Sequence, residues 1–288
     1  MRFEPKVKSG PAMAGRYGRN LGRCILLMTL TPFLAAQEPA PAPPAATAQP
    51  VLEYTGKPMN VGFTCTAEDM QAAGLTCSEQ DPCPVYLELT GVESIGSRIF
   101  LTGNLHSPVV TLDSELLGSA DGGRTWRELH QRIRSASLDR IQFVDARTGW
   151  AAGEVFSPLP QDPFLLLTTD GGETWRERPV FGEDAEDHMG AVQQFWFADR
   201  ASGSLIVDRG QGSGHDEYEL YESPNGGESW NIKQSSAKPL RLRAAAGEAG
   251  AWRLRADRAT ESFQVEHRQE GGWRTVASFL VSAGACKP

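Results

Sequence analysis

Ser119-Ala-Asp121-Gly-Gly123-Arg-Thr125-Trp126 recurs as Thr168-Thr-Asp170-Gly-Gly172-Glu-Thr174-Trp175 and again as Ser223-Pro-Asn225-Gly-Gly227-Glu-Ser229-Trp230. A degenerate fourth copy ends in Gly271-Gly272-Trp273, without the Asp. The four tryptophans stand 49, 55 and 43 residues apart. A fixed period of this length marks a fold built by repeating one supersecondary unit. The residue types of the box explain its form. An Asp or Asn at a tight turn accepts backbone N–H bonds from the residues that follow, and the Gly pair supplies positions with φ > 0. The Ser and Thr hydroxyls cap the same turn, and the Trp opens the outgoing strand with a large apolar surface. The box therefore reads as a structural latch. A catalytic or metal-binding reading fits poorly, because one Asp per repeat does not converge on a site and Asn225 replaces it in the third copy.

A second element precedes each box. Ile141-Gln-Phe143-Val-Asp145-Ala-Arg-Thr-Gly149-Trp150 is echoed by Phe195-Trp-Phe197-Ala-Asp199-Arg-Ala-Ser-Gly203, and more weakly by the run from Leu240 through Leu242 to Trp252. Both elements are β-rich runs broken by Asp/Gly turns, which is hairpin chemistry. One unit thus holds four strands, expected near 139–144, 149–154, 164–169 and 174–180. The other units are expected near 86–130, 190–234 and 239–281. The fold class this predicts is all-β, a β-propeller of about four four-stranded blades in a small or incomplete ring over 86–288.

The Ser/Thr-x-Asp-x-Gly-x-Thr/Ser-Trp pattern resembles the Asp-box, or BNR, repeat of sialidases and related propellers. The longer unit is most similar to the photosystem II assembly/stability factor-like group of bacterial propellers. That resemblance covers roughly residues 86 to 281 and implies a propeller; one scaffold hosts many functions, so it implies far less about activity. Sialidases of this fold need an arginine triad, a Tyr/Glu nucleophile pair and a Phe/Tyr-Arg-Ile-Pro motif. Here the nearest match is Ser97-Arg98-Ile99-Phe100, which lacks both the leading aromatic and the Pro. The expectation is a non-catalytic scaffold that binds a protein partner or assists assembly of an envelope complex. The alternative is a glycan-active or glycan-binding protein.

Upstream of the repeats, six Lys/Arg precede an apolar run from Cys24 to Leu34 and the small pair Ala35-Ala36. This is the pattern of a secretory signal over 1–36, and the run is too short to span a bilayer. Residues 37–50 contain five prolines and read as an extended Pro/Ala-rich linker. A Cys-containing segment follows at 51–85. The expected location is therefore periplasmic or extracellular. The whole chain has 28 Lys/Arg and 36 Asp/Glu; the leader holds six of the former and one of the latter, so 22 and 35 remain and the net charge becomes −13. Such an acidic chain is a poor partner for nucleic acid, and no later segment is apolar enough to span a membrane.

Four cysteines remain after the leader: Cys65, Cys77, Cys83 and Cys286. An even number in an oxidising compartment points to two disulfides. No Cys-x-x-Cys pair or nearby His supports a metal site, and no cofactor is expected. A ring must hide its last edge, so Cys286 is expected to pair with one of the three N-terminal cysteines, fastening the termini. Topology places the first turn of each blade and the box turn on one face. The longer connections lie on the other, near 104–113, 131–138, 155–163, 181–189, 208–217 and 234–238. Loops on a rigid scaffold are where binding resides, so the partner-binding candidates are His106, Asp187, His188, His215 and Asp216 on those loops.

Overall fold

A computed structural model describes residues 50–156, 162–182, 189–210, 217–242 and 251–287. The expected leader, and the spacer up to residue 49, lie outside the described residues. The N-terminal segment contributes two short strands, β1 (Leu52–Glu53) and β2 (Phe63–Thr64), and one helix, α1 (Ala67–Ala72). The first repeat unit forms β3 (Cys83–Ile95), β4 (Arg98–His106), β5 (Thr111–Ser119) and β6 (Thr125–Glu128). The second forms β7 (Ala136–Phe143), β8 (Gly149–Val155), β9 (Asp162–Thr168) and β10 (Arg176–Pro179), and the third β11 (Ala191–Phe197), β12 (Gly203–Asp208), β13 (Tyr218–Ser223) and β14 (Asn231–Ser236). The last comprises β15 (Trp252–Asp257), β16 (Ser262–Gln269) and β17 (Gly272–Leu280), with β18 (Ser282–Cys286) closing the described chain.

The second and third units are up-and-down antiparallel sheets of four strands, and the first has the same four at the heart of a seven-stranded sheet. The observed bounds in the second unit lie within three residues of those expected from the repeat. The last unit differs: its sheet has three strands, because the described residues 237–242 form none. Lys238-Pro239 stands at the start of that stretch, and Pro removes a ladder donor and restricts the residue before it.

Apolar patterning shows how the sheets stack. β9 reads Pro-Phe-Leu-Leu-Leu, a continuous run of the kind a strand covered on both faces requires. Phe164 and Leu166 pack in one core with Phe100 and Leu116 of the first sheet. Leu165 and Leu167 pack in another with Phe197, Leu205 and Val207 of the third. A third core joins the last sheet to the first through Val265, Ala277, Phe279, Leu101 and Trp126. The order of face-to-face packing is thus last, first, second, third. Among the described residues no core cluster joins the third sheet to the last, and five of the six residues of β14 are exposed. The architecture is a four-sheet propeller-like stack, with no core cluster among the described residues across that joint.

Both termini serve closure, as the edge argument requires. Met59 lies parallel along the free edge of β17, with its N–H on the Ser278 carbonyl at 2.9 Å and its carbonyl accepting from Leu280 at 2.8 Å. β1 covers β6, and β18 inserts between β2 and β3. Cys65–Cys286 ties the termini together and Cys77–Cys83 forms a local loop. The expected pairing of Cys286 with an N-terminal cysteine is observed.

Candidate functional site

The boxes connect the third and fourth strands, and their polar groups are consumed in building the turn. Asp121 Oδ1 accepts from the Arg124 and Thr125 amides at 3.1 and 2.9 Å, and Oδ2 accepts from Thr125 Oγ1 at 2.8 Å. Ser119 Oγ donates to Asp121 Oδ1 and accepts from the Gly123 amide. Thr168, Asp170, Gly172 and Thr174 repeat this set. In the third copy Ser223 caps Gly227, Asn225 Oδ1 accepts from the Ser229 amide, and Asn225 Nδ2 now donates to Ser229 Oγ. The hydroxyl has simply exchanged its role. Trp126 and Trp175 donate their indole N–H to the Gly123 and Gly172 carbonyls. Trp230 does not; the indole of Trp150 reaches across from the second sheet to the Gly226 carbonyl instead. For Asp121 and Asp170, desolvation acts to raise the carboxyl pKa. The bonds donated by Thr125 and Ser119, and by Thr174 and Thr168, outweigh it and hold both at about 2. At neutral pH they are ionised acceptors whose oxygens are occupied by donors of their own turns.

The first turn of each unit shares this face. The Gly122, Gly171 and Gly226 amides donate to the carbonyls of Ser97, Arg147 and Ala201. Asp145 and Asp199 cap those turns in the same Asx manner. Between the second and third sheets this face carries a pocket of about 460 Å³ bordered by Arg147, Arg176 and Arg200, the last of them paired with Asp145 at 2.6 Å.

The opposite face carries a cavity of about 910 Å³. Its walls come from the start of β5, from residues 128–134 between β6 and β7, and from the N-terminal segment, which contributes Val61, Phe63 and Asp69 of α1. Thr66-Ala-Glu-Asp69 starts α1 with a reciprocal capping box: the Thr66 hydroxyl accepts from the Asp69 amide, and the Asp69 carboxylate accepts from the Thr66 amide. Arg134 then clasps the helix, with Nη1 on Glu68 and Nε on Asp69, both at 2.9 Å. Arg132 also makes two ion pairs, with Nε on Glu115 at 2.8 Å and Nη2 on Glu128 at 2.6 Å. Burial pushes Glu115 up to about 8 against the pull of Arg132. Asp113 lines the same cavity and takes no hydrogen bond or ion pair on its carboxylate among the described residues. Burial, then the Asp69 charge, push it up to about 6 against Arg132 and Arg134.

A third depression, about 590 Å³, lies where the first strands of three units meet, lined by Glu93, Arg140, Gln142, Gln194, Phe195 and Trp196 among others. Gln142 spends both ends of its amide on the Phe197 backbone. Gln194 accepts from the Leu242 amide. Arg140 and the Trp196 indole N–H find no partner among the described residues. Near the loop face, burial and then Asp139 and Asp208 push Glu154 up to about 7.

Of the partner-binding residues expected from sequence, His106 sits at the loop-face end of β4, its ring beside Tyr86 and its Nδ1 2.9 Å from the Ser107 carbonyl. Asp187, His188, His215 and Asp216 lie outside the described residues. Asp113, Arg132 and Arg134 fall within the expected 104–113 and 131–138 loops without having been singled out, and Asp69 lies outside every expected loop. They are scattered charges with no common spacing, and only the Thr66–Asp69 capping signature was there to be read. No group of three or more His, Cys, Asp or Glu able to hold a metal occurs among the described residues, and no described helix is long and apolar enough to cross a membrane.

No family model matches the chain, and no curated protein matches it. Among solved structures it is similar to YCF48 bound to D1 peptide, at 17% identity and a TM-score of 0.37, covering 67% of this chain and 54% of that one. It is also similar to the GH74 xyloglucanase from Xanthomonas campestris, at 14% identity and a TM-score of 0.36, covering 66% and 29%. A family 117 glycoside hydrolase from Zobellia galactanivorans aligns at 11% identity and a TM-score of 0.36, covering 80% and 76%. The chain thus spans about half the length of the first and under a third of the second. These likenesses are distant, and the propeller assignment rests on the sheets themselves.

Proposed function

We propose that the chain is an exported, non-catalytic propeller of the Asp-box kind, resembling the photosystem II assembly/stability factor-like group, that holds a protein partner on its loop face. One observation carries this reading. The acidic side chains of the boxes are spent on their own turns, whereas the loop face keeps a 910 Å³ cavity with Asp113 left over. A scaffold whose repeated polar residues are all structural leaves recognition to its irregular connections. Export is supported by the leader pattern and by two disulfides, which persist in oxidising compartments.

The test is capture of a partner from envelope extract by tagged variants of each face. Charge changes at Asp113 and Arg134 on the loop face are expected to reduce capture. Changes at Arg147 and Arg176 on the box face are expected to leave it intact, and the reverse pattern refutes the assignment. A second reading, a glycan ligand, is favoured by the central depression, where Trp196 and Phe195 offer ring surface beside Gln194, Glu93 and Arg140. Screening on fluorogenic glycosides and soluble polysaccharides, with Trp196→Ala as control, decides it. Turnover or retention lost in that variant supports the glycan.

A further inference from the structure

The last sheet packs on the first through one face, which carries Val265, Ala277 and Phe279. Strand register places Arg253, Arg255, Gln264, Glu266, Trp273 and Thr275 on the other. That outer face holds a buried charge. The Glu266 side chain is 6% exposed, with Arg253 Nε on its Oε2 at 2.6 Å and Arg255 Nε on its Oε1 at 3.0 Å. Burial acts to raise the Glu266 carboxyl pKa, but the bonds from Arg253 and Arg255 outweigh it and hold it below its ordinary value. Both guanidiniums are also fixed from a second side. Arg253 lies over the Trp273 ring, 4.2 Å from its centroid. Arg255 Nη2 donates to Gln264 Oε1, and Gln264 is itself held by Thr275 at 3.2 Å and Asp257 at 2.6 Å.

Two guanidiniums thus share one carboxylate and leave a positive charge in excess. Asp257, the next acid along β15, is bonded to Gln264 and to the Ala259 amide, and Arg268, opposite Trp273, adds a further cation. The donors are in excess as well. With each Nε on Glu266, both Nη groups of Arg253 and Nη1 of Arg255 have no acceptor among the described residues, and the two side chains are 42% and 45% exposed. Guanidinium forks already immobilised by a buried acid and a ring lose little freedom when they take a ligand. Three donor nitrogens on two forks, whose Cα atoms stand about 7 Å apart along the strand, match an acceptor with three or more oxygens better than the two coplanar oxygens of a carboxylate. We infer that Arg253 and Arg255 form a binding site for a single tetrahedral oxyanion, a phosphate or sulfate group. The net charge of −8 over the chain repels a long polyanion or an anionic membrane surface, so the occupant is one oxyanion, free or at the end of a small ester. This face shares no residue with the loop-face cavity, and the inference is independent of the partner proposed there.

The test titrates the folded, disulfide-bonded chain with inorganic phosphate, inorganic sulfate, methyl phosphate and acetate at constant ionic strength. The readouts are the NMR shifts of the Arg253 and Arg255 Nε–H groups and of the Trp273 indole N–H. Saturable shifts of all three are expected with phosphate or sulfate, and binding of acetate at least about tenfold weaker. Tighter binding of methyl phosphate than of inorganic phosphate supports an ester as the occupant, and the reverse order supports the free ion. Arg253→Lys and Arg255→Lys keep a positive charge over Glu266, so they should melt as the parent does and bind at least about tenfold more weakly, because an ammonium is a point charge and not a fork. Arg268→Gln touches none of these pairs and should cost less than about twofold. Acetate binding as tightly as phosphate, undiminished binding in the two lysine variants, or a loss in Arg268→Gln as large as theirs overturns the inference. Tighter binding to polyphosphate or to phosphatidylglycerol vesicles than to the single ion overturns it too, by making the face a polyanion surface.

Discussion

Gly122 and Gly123 stand side by side in the first box, both with φ > 0, at 72° and 93°, yet their neighbourhoods differ completely. A Cβ on Gly122 meets nothing within 4 Å. A Cβ on Gly123 falls 2.4 Å from Val276 Cγ1 of the last sheet and 3.6 Å from Ile99 Cδ1. Gly122→Ala therefore carries only the left-handed backbone cost, about 1–2 kcal/mol, offset in part by about 0.4–1 kcal/mol from a stiffer unfolded chain. Its net cost is expected at about 1 kcal/mol. Gly123→Ala adds overpacking of about 1–3 kcal/mol, because Val276 is β-branched and stiff at χ1. The gap between the two variants is expected at about 2 kcal/mol. With an m-value of about 2–3 kcal/mol/M for urea, that is roughly 0.7–1 M in unfolding midpoint. Val276→Ala clears the space, so its combination with Gly123→Ala should cost less than the sum of the two single changes. Equal midpoints for Gly122→Ala and Gly123→Ala, or strict additivity with Val276→Ala, would refute the claim that this box is packed against the last sheet.

Three further outcomes follow from groups already described. Removing Cys65–Cys286, which spans 221 residues, should cost about 5 kcal/mol by the chain-entropy relation, against about 2 for the six-residue Cys77–Cys83 loop; equal losses in urea unfolding of the two paired Cys→Ser variants would contradict the closure role. Asp121 and Asp170 are held at about 2, below their ordinary 3.8, so they stabilise the fold above about pH 4 and that contribution is lost as pH falls towards 2. The Asp121→Asn/Asp170→Asn protein, which imitates Asn225, should lose stability less steeply over that range, and an unaltered acid slope in thermal melts would count against it. Glu154 is pushed up to about 7, so its protonated form is favoured by folding and stability falls as pH rises from about 4.5 through 7. Glu154→Gln should flatten that fall and be the more stable protein at pH 8; a less stable variant there would show that the ionised carboxylate is tolerated.

What could be read from the residues depended on period. The boxes repeat, so Asp121, Asp170 and Asn225, their glycines and their place between third and fourth strands were all legible before any coordinates. The strands at β8 and β9 were likewise expected, near 149–154 and 164–169. The first strand expected in the last unit rested on the weak Leu240–Leu242 echo, and the described part of it forms no strand. The loop-face cavity is the opposite case. It is assembled once, from the N-terminal segment, β5, the β6–β7 segment and β18, residues spread from Pro50 to Ala283, and a feature that occurs once leaves no period to detect. Asp113 looks like any surface acid until the four contacts that occupy Arg132 and Arg134 are known.

The insertion of β18 between β2 and β3 has a consequence for how the chain is made. β3 has its partner β4 within about 20 residues of synthesis, but its other edge waits for residues 282–286, about 200 positions later. Until that strand arrives the edge of β3 is an open template, whereas the second and third sheets, built only from neighbouring strands, have no such gap. Only when the last strand arrives can Cys65 find Cys286 and the first sheet become whole. The last described strand thus completes a sheet begun about 200 positions earlier, and the disulfide beside it locks that long-range pairing once made.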